Sequence, residues 1–281
     1  MIKRMRKAES NASVDRLCGL LELPVSTYYY RPVIQLEEIN LKVKMTEIFE
    51  DSFGSYGKIR LSKALKKEGF QVGVFKTARL MKALELFAKR PRRPHYYPAV
   101  KELPTIPHLL NRQFNPFSVN THWVGDITYI RSHQGWSYLA TVMDLGSKEI
   151  VGYALSQRPD AHLTEQALID AVTKHQPKTE GLMFHSDQGV QYSAKRFQET
   201  LATLKIVQSM SRRGCCWDNA VQERFFRNLK TEYLNDTSFM NHHSVVNAVE
   251  KYIRFYNYKR LNSAIDYLTP AQKRLKLQKA A

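Results

Sequence analysis

At His122 the hydrophobic period of the chain changes, and this change constrains the fold more than any other feature. Three runs rich in β-branched and aromatic residues follow, WVGDITYI, WSYLATVMD and EIVGYALS. They are separated by RSHQG and LGSK, short polar breaks that each carry a glycine. Such side chains favour pleated backbone, and breaks this short suit hairpin connections. The spacing predicts a three-stranded antiparallel meander.

Beyond it the pattern alternates. A helical stretch (162–174) precedes a short strand LMFHSD (182–187), a second helix (about 194–204) and a strand KIVQSM (205–210). The segment SRRGCCWD breaks regular structure, and a long helix begins near Asn219. Three antiparallel strands followed by αβαβα is the element order of a ribonuclease H-like fold, an α/β core on a mixed sheet.

The upstream region reads differently. Residues 41–88 carry helical periodicity: Leu41, Met45, Ile48 and Phe49 first, then a second helix from about Ile59 to Lys67 that stops at Gly69. A third helix starts after Gly73, which can serve as an N-cap. On it Lys76, Arg79 and Lys82 share one face, while Ala78, Met81 and Leu84 or Leu80 can turn inward. Helix, break, basic-faced helix is the outline of a helix-turn-helix, although a small bundle with a solvated basic face gives the same pattern. Between this all-α module and the α/β core, KRPRRPHYYPAVKELPTIPHLLNRQFNP concentrates the prolines, and their missing donors favour an extended linker. The expected divisions are a helical segment (1–40), a helix-turn-helix domain (41–88), a linker (89–118), the core (119–235) and a C-terminal helical segment (236–281). In the last segment Val245, Ala248, Val249, Tyr252, Phe255 and Tyr256 form one apolar stripe leading to a basic tail.

Charge narrows the partner. Lys and Arg number 43 against 26 Asp and Glu, a net +17 spread over both halves. That balance suits a long polyanion better than a small anionic substrate. No apolar run is long enough to span a membrane. The three cysteines (Cys18, Cys215, Cys216) have neither bridge-framework nor zinc spacing, so a reducing cytoplasm is expected.

Three acidic residues stand where the expected core brings chain segments together. Asp126 lies within the first strand, an expensive place for a carboxylate without a neutralising partner. Asp187 ends the fourth strand, at the sheet edge where ligand sites gather in α/β folds. Glu223 lies one turn into the long helix, where Asn219 and Gln222 have the spacing of a capping box. Arg227 and Lys230 follow at i+4 and i+7, Lys230 about 10.5 Å along the axis. Carboxylates from two strands and a helix suit hard divalent cations, and two such ions can clamp an in-line phosphoryl displacement.

HWVGDITYI (122–130), HSDQGVQYS (185–193) and SRRGCCWDNAVQERFFRNLKTE (211–232) resemble the retroviral-integrase-type core of bacterial insertion-sequence transposases. The chain is most similar to the insertion-sequence-three family, OrfB type. Positions 188 to 222 separate Asp187 from Glu223, the 35-residue gap of that family's D,D(35)E pattern, and Lys230 falls on its downstream basic position. SYGKIRLSKALKKEGFQV (55–72) and KTARLMKAL (76–84) are similar to the preceding helix-turn-helix, and YNYKRLNSAIDYLTPAQ (256–272) to the C-terminal motif.

The resemblance implies a DDE recombinase. Asp126, Asp187 and Glu223 would be catalytic and would bind two magnesium ions, with manganese able to substitute. DNA would be cleaved at element ends and transferred to a target without a covalent protein–DNA intermediate. Lys230, Arg212 and Arg213 would contact terminal DNA, and Lys76, Arg79 and Lys82 would face the terminal inverted repeat. The implied partners are DNA, further copies of the chain, and an OrfA-type helix-turn-helix/leucine-zipper protein or frameshift fusion; the implied location is the nucleoid. A structure-specific nuclease and a non-catalytic DNA-binding protein are the competing functions. One departure is Asn262, where the family commonly has a His; an amide does not titrate near neutral pH. Asp144 reads as a turn residue, Asp218 as a helix-start residue, and His185 either touches the active site or packs.

Overall fold

The computed structural model describes residues 13–30, 36–91, 106–212 and 216–280. Two compact units are distinguished, 1–43 and 44–281. In the first, α1 (Val14–Leu20) is capped by Ser13, whose side chain accepts from Arg16 N at 3.2 Å. With α2 (Val25–Tyr29) it buries Val14, Leu17 and Cys18, against which Tyr28 packs. The next helix, α3, spans Leu36–Asp51.

In the second unit α4 (Lys58–Lys67) and α5 (Val74–Ala83) pack on one another. Gly69 supplies the left-handed turn at φ +91°. Ser62 Oγ donates to Val72 O at 2.9 Å and fixes the turn. On α5 the inward residues are Thr77, Leu80 and Met81, a small rotation from the Ala78-centred face expected. Thr77 tolerates burial because its hydroxyl donates to Gly73 O at 2.9 Å. Lys76, Arg79 and Lys82 are exposed, beside a 91% exposed Phe75.

The sheet contains β1 (His122–Ser132), β2 (Gly135–Asp144), β3 (Ile150–Ser156), β4 (Met183–Ser186) and β5 (Val207–Met210) in the order β3-β2-β1-β4-β5. β1, β2 and β3 pair antiparallel as the meander requires, while β1, β4 and β5 run parallel. This is the mixed sheet of a ribonuclease H-like core. Alternation along β1 and β2 sends Trp123, Ala140 and Val142 to one face, against α6 (Ala161–His175) and α8 (Lys195–Thr203). At Gly152 a Cβ would lie 2.4 Å from Ala167 O, so α6 backbone rests directly on β3. A four-residue helix, α7 (Val190–Ser193), is too short to announce itself by periodicity.

The other face receives α9 (Ala220–Glu232) and α10 (His242–Tyr258), whose expected apolar stripe is buried throughout. The basic tail is a helix, α11 (Pro270–Gln278), started by a Thr269/Gln272 capping box. Its Arg274 is buried in an ion pair with Glu149. The α4 module joins this C-terminal region through Tyr56, whose hydroxyl accepts from Leu261 N at 2.7 Å. Among the described residues no helix is long and apolar enough to cross a membrane.

Candidate active site

Asp126 sits mid-β1 opposite Thr141 of β2, half-buried, with Oδ1 accepting from Ile127 N at 2.8 Å. The residue before it must be glycine: a Cβ on Gly125 would lie 2.4 Å from the Phe184 ring and 3.3 Å from the Tyr192 hydroxyl. β4 pairs with β1 through Trp123–Phe184 and Val124–His185. Carried two residues further, that register brings Asp187 alongside Asp126. Asp187 is the first residue past β4, exposed, and its Oδ1 accepts from Gly189 N at 3.0 Å.

Glu223 lies on the exposed side of α9's first turn. The capping box expected at that helix start does not form. Asn219 is the N-cap residue but makes no side-chain cap bond. Its Nδ2 points instead to Gly125 O at 3.5 Å. Gln222 donates from Nε2 to the hydroxyl of Thr141 and, at 3.4 Å, to its carbonyl. Both side chains are buried and therefore answer to the sheet rather than to local amides. They tie α9 to the residue before Asp126 and to the residue paired with it, which sets Glu223 against the carboxylates by tertiary contacts.

Electrostatics couples the groups. Burial pushes the Asp126 carboxyl well above the carboxylate range, repulsion from Asp187 and Glu223 adds to it, and the Ile127 amide and Lys230 oppose it. Asp187 is raised by partial loss of hydration, against the Gly189 amide. Glu223 is raised by the same loss and by Asp187. Lys230 is lowered by loss of hydration while Asp126 pulls the other way; its Nζ stands 4.9 Å above the Tyr129 ring. Lys230 is thus a cation whose charge acts on Asp126. An all-oxygen donor set with surplus negative charge fits a hard divalent cation. Among the described residues no group of three or more acidic, His or Cys side chains stands close enough to hold a metal ion.

Several residues acquire roles their sequence context did not announce. Tyr192 lies fully buried under Gly125, its phenol pushed well above the usual range by burial and by Asp126 and Asp187. Asp218 is buried and accepts from Arg112 Nε at 2.9 Å and Arg212 Nε at 3.2 Å. Burial opposes its charge, but the Arg212 and Arg112 hydrogen bonds win and hold it at about 2. Asp218 thus ties Arg112 and Arg212 together ahead of α9, a larger task than the helix-start role expected, and Arg212 has its guanidinium engaged there. Arg213 lies outside the described residues. His185 turns into the protein, Nδ1 2.9 Å from Ser209 Oγ, and burial with the neighbouring His108 depresses it to about 4. Asp144, by contrast, is the turn residue expected: it accepts from Asn120 N at 2.7 Å and from Ser147 N at 2.8 Å, closing the β2–β3 turn. Asn262 caps a short 3₁₀ turn through Oδ1 to Ala264 N at 3.0 Å, which an amide does without titrating.

At the far end of α9, Glu232 is a buried hub. Its carboxylate accepts from Arg260 at 2.6 and 2.8 Å, from the Tyr252 hydroxyl at 2.8 Å and from Arg60 at 3.4 Å. The helix bearing Glu223 is therefore tied at one end to the sheet and at the other to α4 and the C-terminal region.

Comparison with known proteins agrees with this architecture. Two family models described as integrase core domain match residues 118–216 and 204–270, and one described as an HTH-like domain matches 35–94. The transposase for insertion sequence element IS904 of Lactococcus lactis is 36% identical over 239 residues, 84% of this chain and 94% of that protein. The putative transposase InsK for IS150 of Escherichia coli is 36% identical over 266 residues, 93% of each. Transposase InsF for IS3A of the same organism is 35% identical over 227 residues, 80% of this chain and 78% of that protein. Among solved structures, the HTLV-2 integrase catalytic core domain in complex with magnesium is 20% identical and covers 56% of this chain and 97% of that one, with a TM-score of 0.44. With an integrase core behind an HTH-like domain and relatives matched over most of their length, the chain belongs to the insertion-sequence-three family of transposases.

Proposed function

We propose that this transposase cleaves DNA at the ends of its insertion sequence and transfers the freed strands to a target, with Asp126, Asp187 and Glu223 as catalytic residues. The observation that carries this reading is that the β1–β4 register sets Asp187 beside Asp126, while α9, which bears Glu223, is pinned to Gly125 and to Thr141, the neighbour and the cross-strand partner of Asp126. These side chains would hold two magnesium ions, which supply activation of the attacking oxygen and stabilisation of the leaving one. The chain's own contribution is position. Asn219 and Gln222 fix the turn that carries Glu223, Lys230 takes a phosphate beside the carboxylates, and Asp218 holds Arg112 and Arg212 ahead of that helix. Water, and then the freed 3′-hydroxyl, attacks phosphorus; one P–O bond forms as another breaks, and no protein nucleophile is used. Further copies of the chain and an OrfA-type subunit or fusion would complete the assembly on DNA.

Purified protein with DNA bearing the element's ends is expected to cut and join in magnesium or manganese, and to bind with little chemistry in calcium. Strand transfer that survives thorough chelation contradicts the two-metal reading. Equal cutting of unrelated DNA ends points to a nuclease, and no chemistry in any metal to a binder.

Grip on the DNA is assigned to the exposed face of α5. Arg79→Ala and Lys82→Ala are expected to weaken end binding and lower the slope of log K against log salt by about 0.9 for each lost phosphate contact. Unchanged affinity and slope in both variants, measured by fluorescence anisotropy across a salt series, would remove α5 from the DNA interface.

A further inference from the structure

Towards the tip of the β1–β2 hairpin, aromatic rings and cations alternate on the surface. The register pairs Tyr129 with Tyr138 and Arg131 with Trp136, and the pleat puts all four side chains on one face. The rings of Tyr129 and Trp136 meet on the diagonal, centroids 5.4 Å apart and at 83°. Arg131 stands 5.0 Å over the Trp136 ring, and Lys230 of α9 stands 4.9 Å over the Tyr129 ring. The order in space is Lys230, Tyr129, Trp136, Arg131. Tyr129 is 59% exposed and Trp136 43%, so two large rings face solvent.

Steadying the hairpin does not account for them. A cross-strand aromatic pair does that work in a free hairpin, but this one is braced elsewhere. His133 N donates to Phe239 O at 2.9 Å, and Ser137 Oγ lies 2.8 Å from His242 Nδ1. The rings therefore stand on a fixed support, and that support adjoins the carboxylates. Tyr129 follows Asp126 by three residues, about 10 Å along the strand, or about three base steps of DNA. By the same pleat Asp126 lies on the opposite face. Among the described residues the β4 ladder on β1 ends at Val124, which leaves the rest of β1 along an open sheet edge. Lys230 links the two faces there: its charge acts on Asp126 while its Nζ lies over Tyr129.

Exposed rings flanked by cations suit unpaired nucleic acid, whose bases stack on the rings while its phosphates meet the charges. A paired base has both faces covered by its neighbours in the duplex and must leave the stack first. We propose that Tyr129 and Trp136 form a stacking site for an unpaired base close to the cut end of the element, with Lys230 and Arg131 on the phosphates to either side. The proposal rests on the reading of the carboxylates as a DNA-cutting site and adds how the strand end is held beside them. In the free protein the two cations cover the rings. A cation above an exposed ring is held more weakly than a stacked base, so the base displaces it and the cation turns to the adjoining phosphate.

The test separates rings from charges. Losing a ring removes no phosphate contact, so Tyr129→Ala and Trp136→Ala should each lower affinity for element-end DNA about tenfold at an unchanged salt slope. Arg131→Ala should lower the slope by about 0.9. Tyr129→Phe keeps the ring and should bind as wild type. Tyr129→Leu keeps apolar bulk on the hairpin without an aromatic face, and should fold as wild type by circular dichroism yet bind like Tyr129→Ala. Mismatches placed singly over the last few base pairs should reveal one position where an unpaired base tightens wild-type binding several-fold, because unpairing no longer opposes it. That gain should be absent from Tyr129→Leu. Wild-type affinity and an undiminished mismatch gain in Tyr129→Leu and Trp136→Ala overturn the stacking site; with Glu223→Gln still unable to join ends, the DNA-cutting reading stands. If Glu223→Gln joins ends normally, that reading fails and the assignment to a cut end falls with it. Equal losses on unrelated duplex make the rings a general DNA contact and contradict the proposal. Wild-type DNA binding with an altered oligomeric state in sedimentation makes the hairpin a contact between copies of the chain, and contradicts it too.

Discussion

Arg260→Ala is expected to lower the unfolding free energy by about 3–5 kcal/mol, the usual cost of leaving one member of a buried ion pair alone. Arg260 is 2% exposed and forks onto both oxygens of Glu232. Burial works against the Glu232 charge, but Arg260, helped by the Tyr252 hydroxyl and Arg60, keeps it ionised below the ordinary range. Without Arg260, Tyr252 and the longer Arg60 contact remain among the described residues. Arg260→Lys should recover part of the loss, since a point charge cannot reproduce the two-pronged geometry. Removing both charges with Glu232→Gln and Arg260→Met should cost less than the sum of the single changes, because no uncompensated ion stays behind. Urea unfolding monitored by tryptophan fluorescence and far-UV circular dichroism measures wild type and all five variants, the two single changes of the double variant included. A loss below 1 kcal/mol for Arg260→Ala would mean that the hub does not hold α9 to the α4 module.

Asp126→Asn should make the protein more stable and inactive together. In wild type without a divalent cation, the folded state raises the Asp126 carboxyl, chiefly by burial and by Asp187. A carboxyl raised on folding costs stability once it is ionised. The cost is absent below the unfolded-state value, grows as pH rises toward the folded value, and is fully present above it. The amide carries no such charge, so in chelator at neutral pH Asp126→Asn should melt higher than wild type. The difference should vanish in acid, where the wild-type carboxyl is protonated in both states, and shrink when magnesium compensates the wild-type charge. Joining should fall by about a thousandfold or more, since several kcal/mol of charge stabilisation at the reacting phosphate is lost. Stability traded against chemistry is the signature of a functional carboxylate. A variant that joins DNA normally removes Asp126 from the site whatever its melting temperature.

The frame of the molecule is legible in the sequence because its signals are local. β-branched alternation marks β1 to β3, and Gly69 and Gly73 bracket the turn between α4 and α5. The three acidic residues stand out by type and spacing. What holds them does not, because it is set across long separations. Asn219 and Gln222 have the spacing of a local cap, yet their partners Gly125 and Thr141 lie 94 and 81 residues away. Burial decides the competition in favour of the sheet. Asp218 looks like a dipole-favoured residue at a helix start until Arg112, 106 residues upstream, meets it. Glu232 reads as one more charged residue on a helix rich in them; only Arg60 and Arg260, 172 and 28 residues distant, reveal it as buried. Helix α7, with four residues, contains no full period to read.

Glu223→Gln tests the central claim most directly, because the substitution keeps shape and helix start while removing one negative charge. Asn219 and Gln222 still anchor the helix, so folding and end binding should match wild type. In a single-turnover assay with pre-cleaved element ends and magnesium, the account predicts that wild type joins them to target DNA and that Glu223→Gln, bound to the same ends, yields no joined product. If Glu223 were only an exposed helix residue supported by its i+4 neighbour, its loss would cost about 0.2–0.5 kcal/mol of helix stability and no chemistry. Joining by Glu223→Gln at the wild-type rate would contradict the assignment of Asp126, Asp187 and Glu223 as the catalytic set.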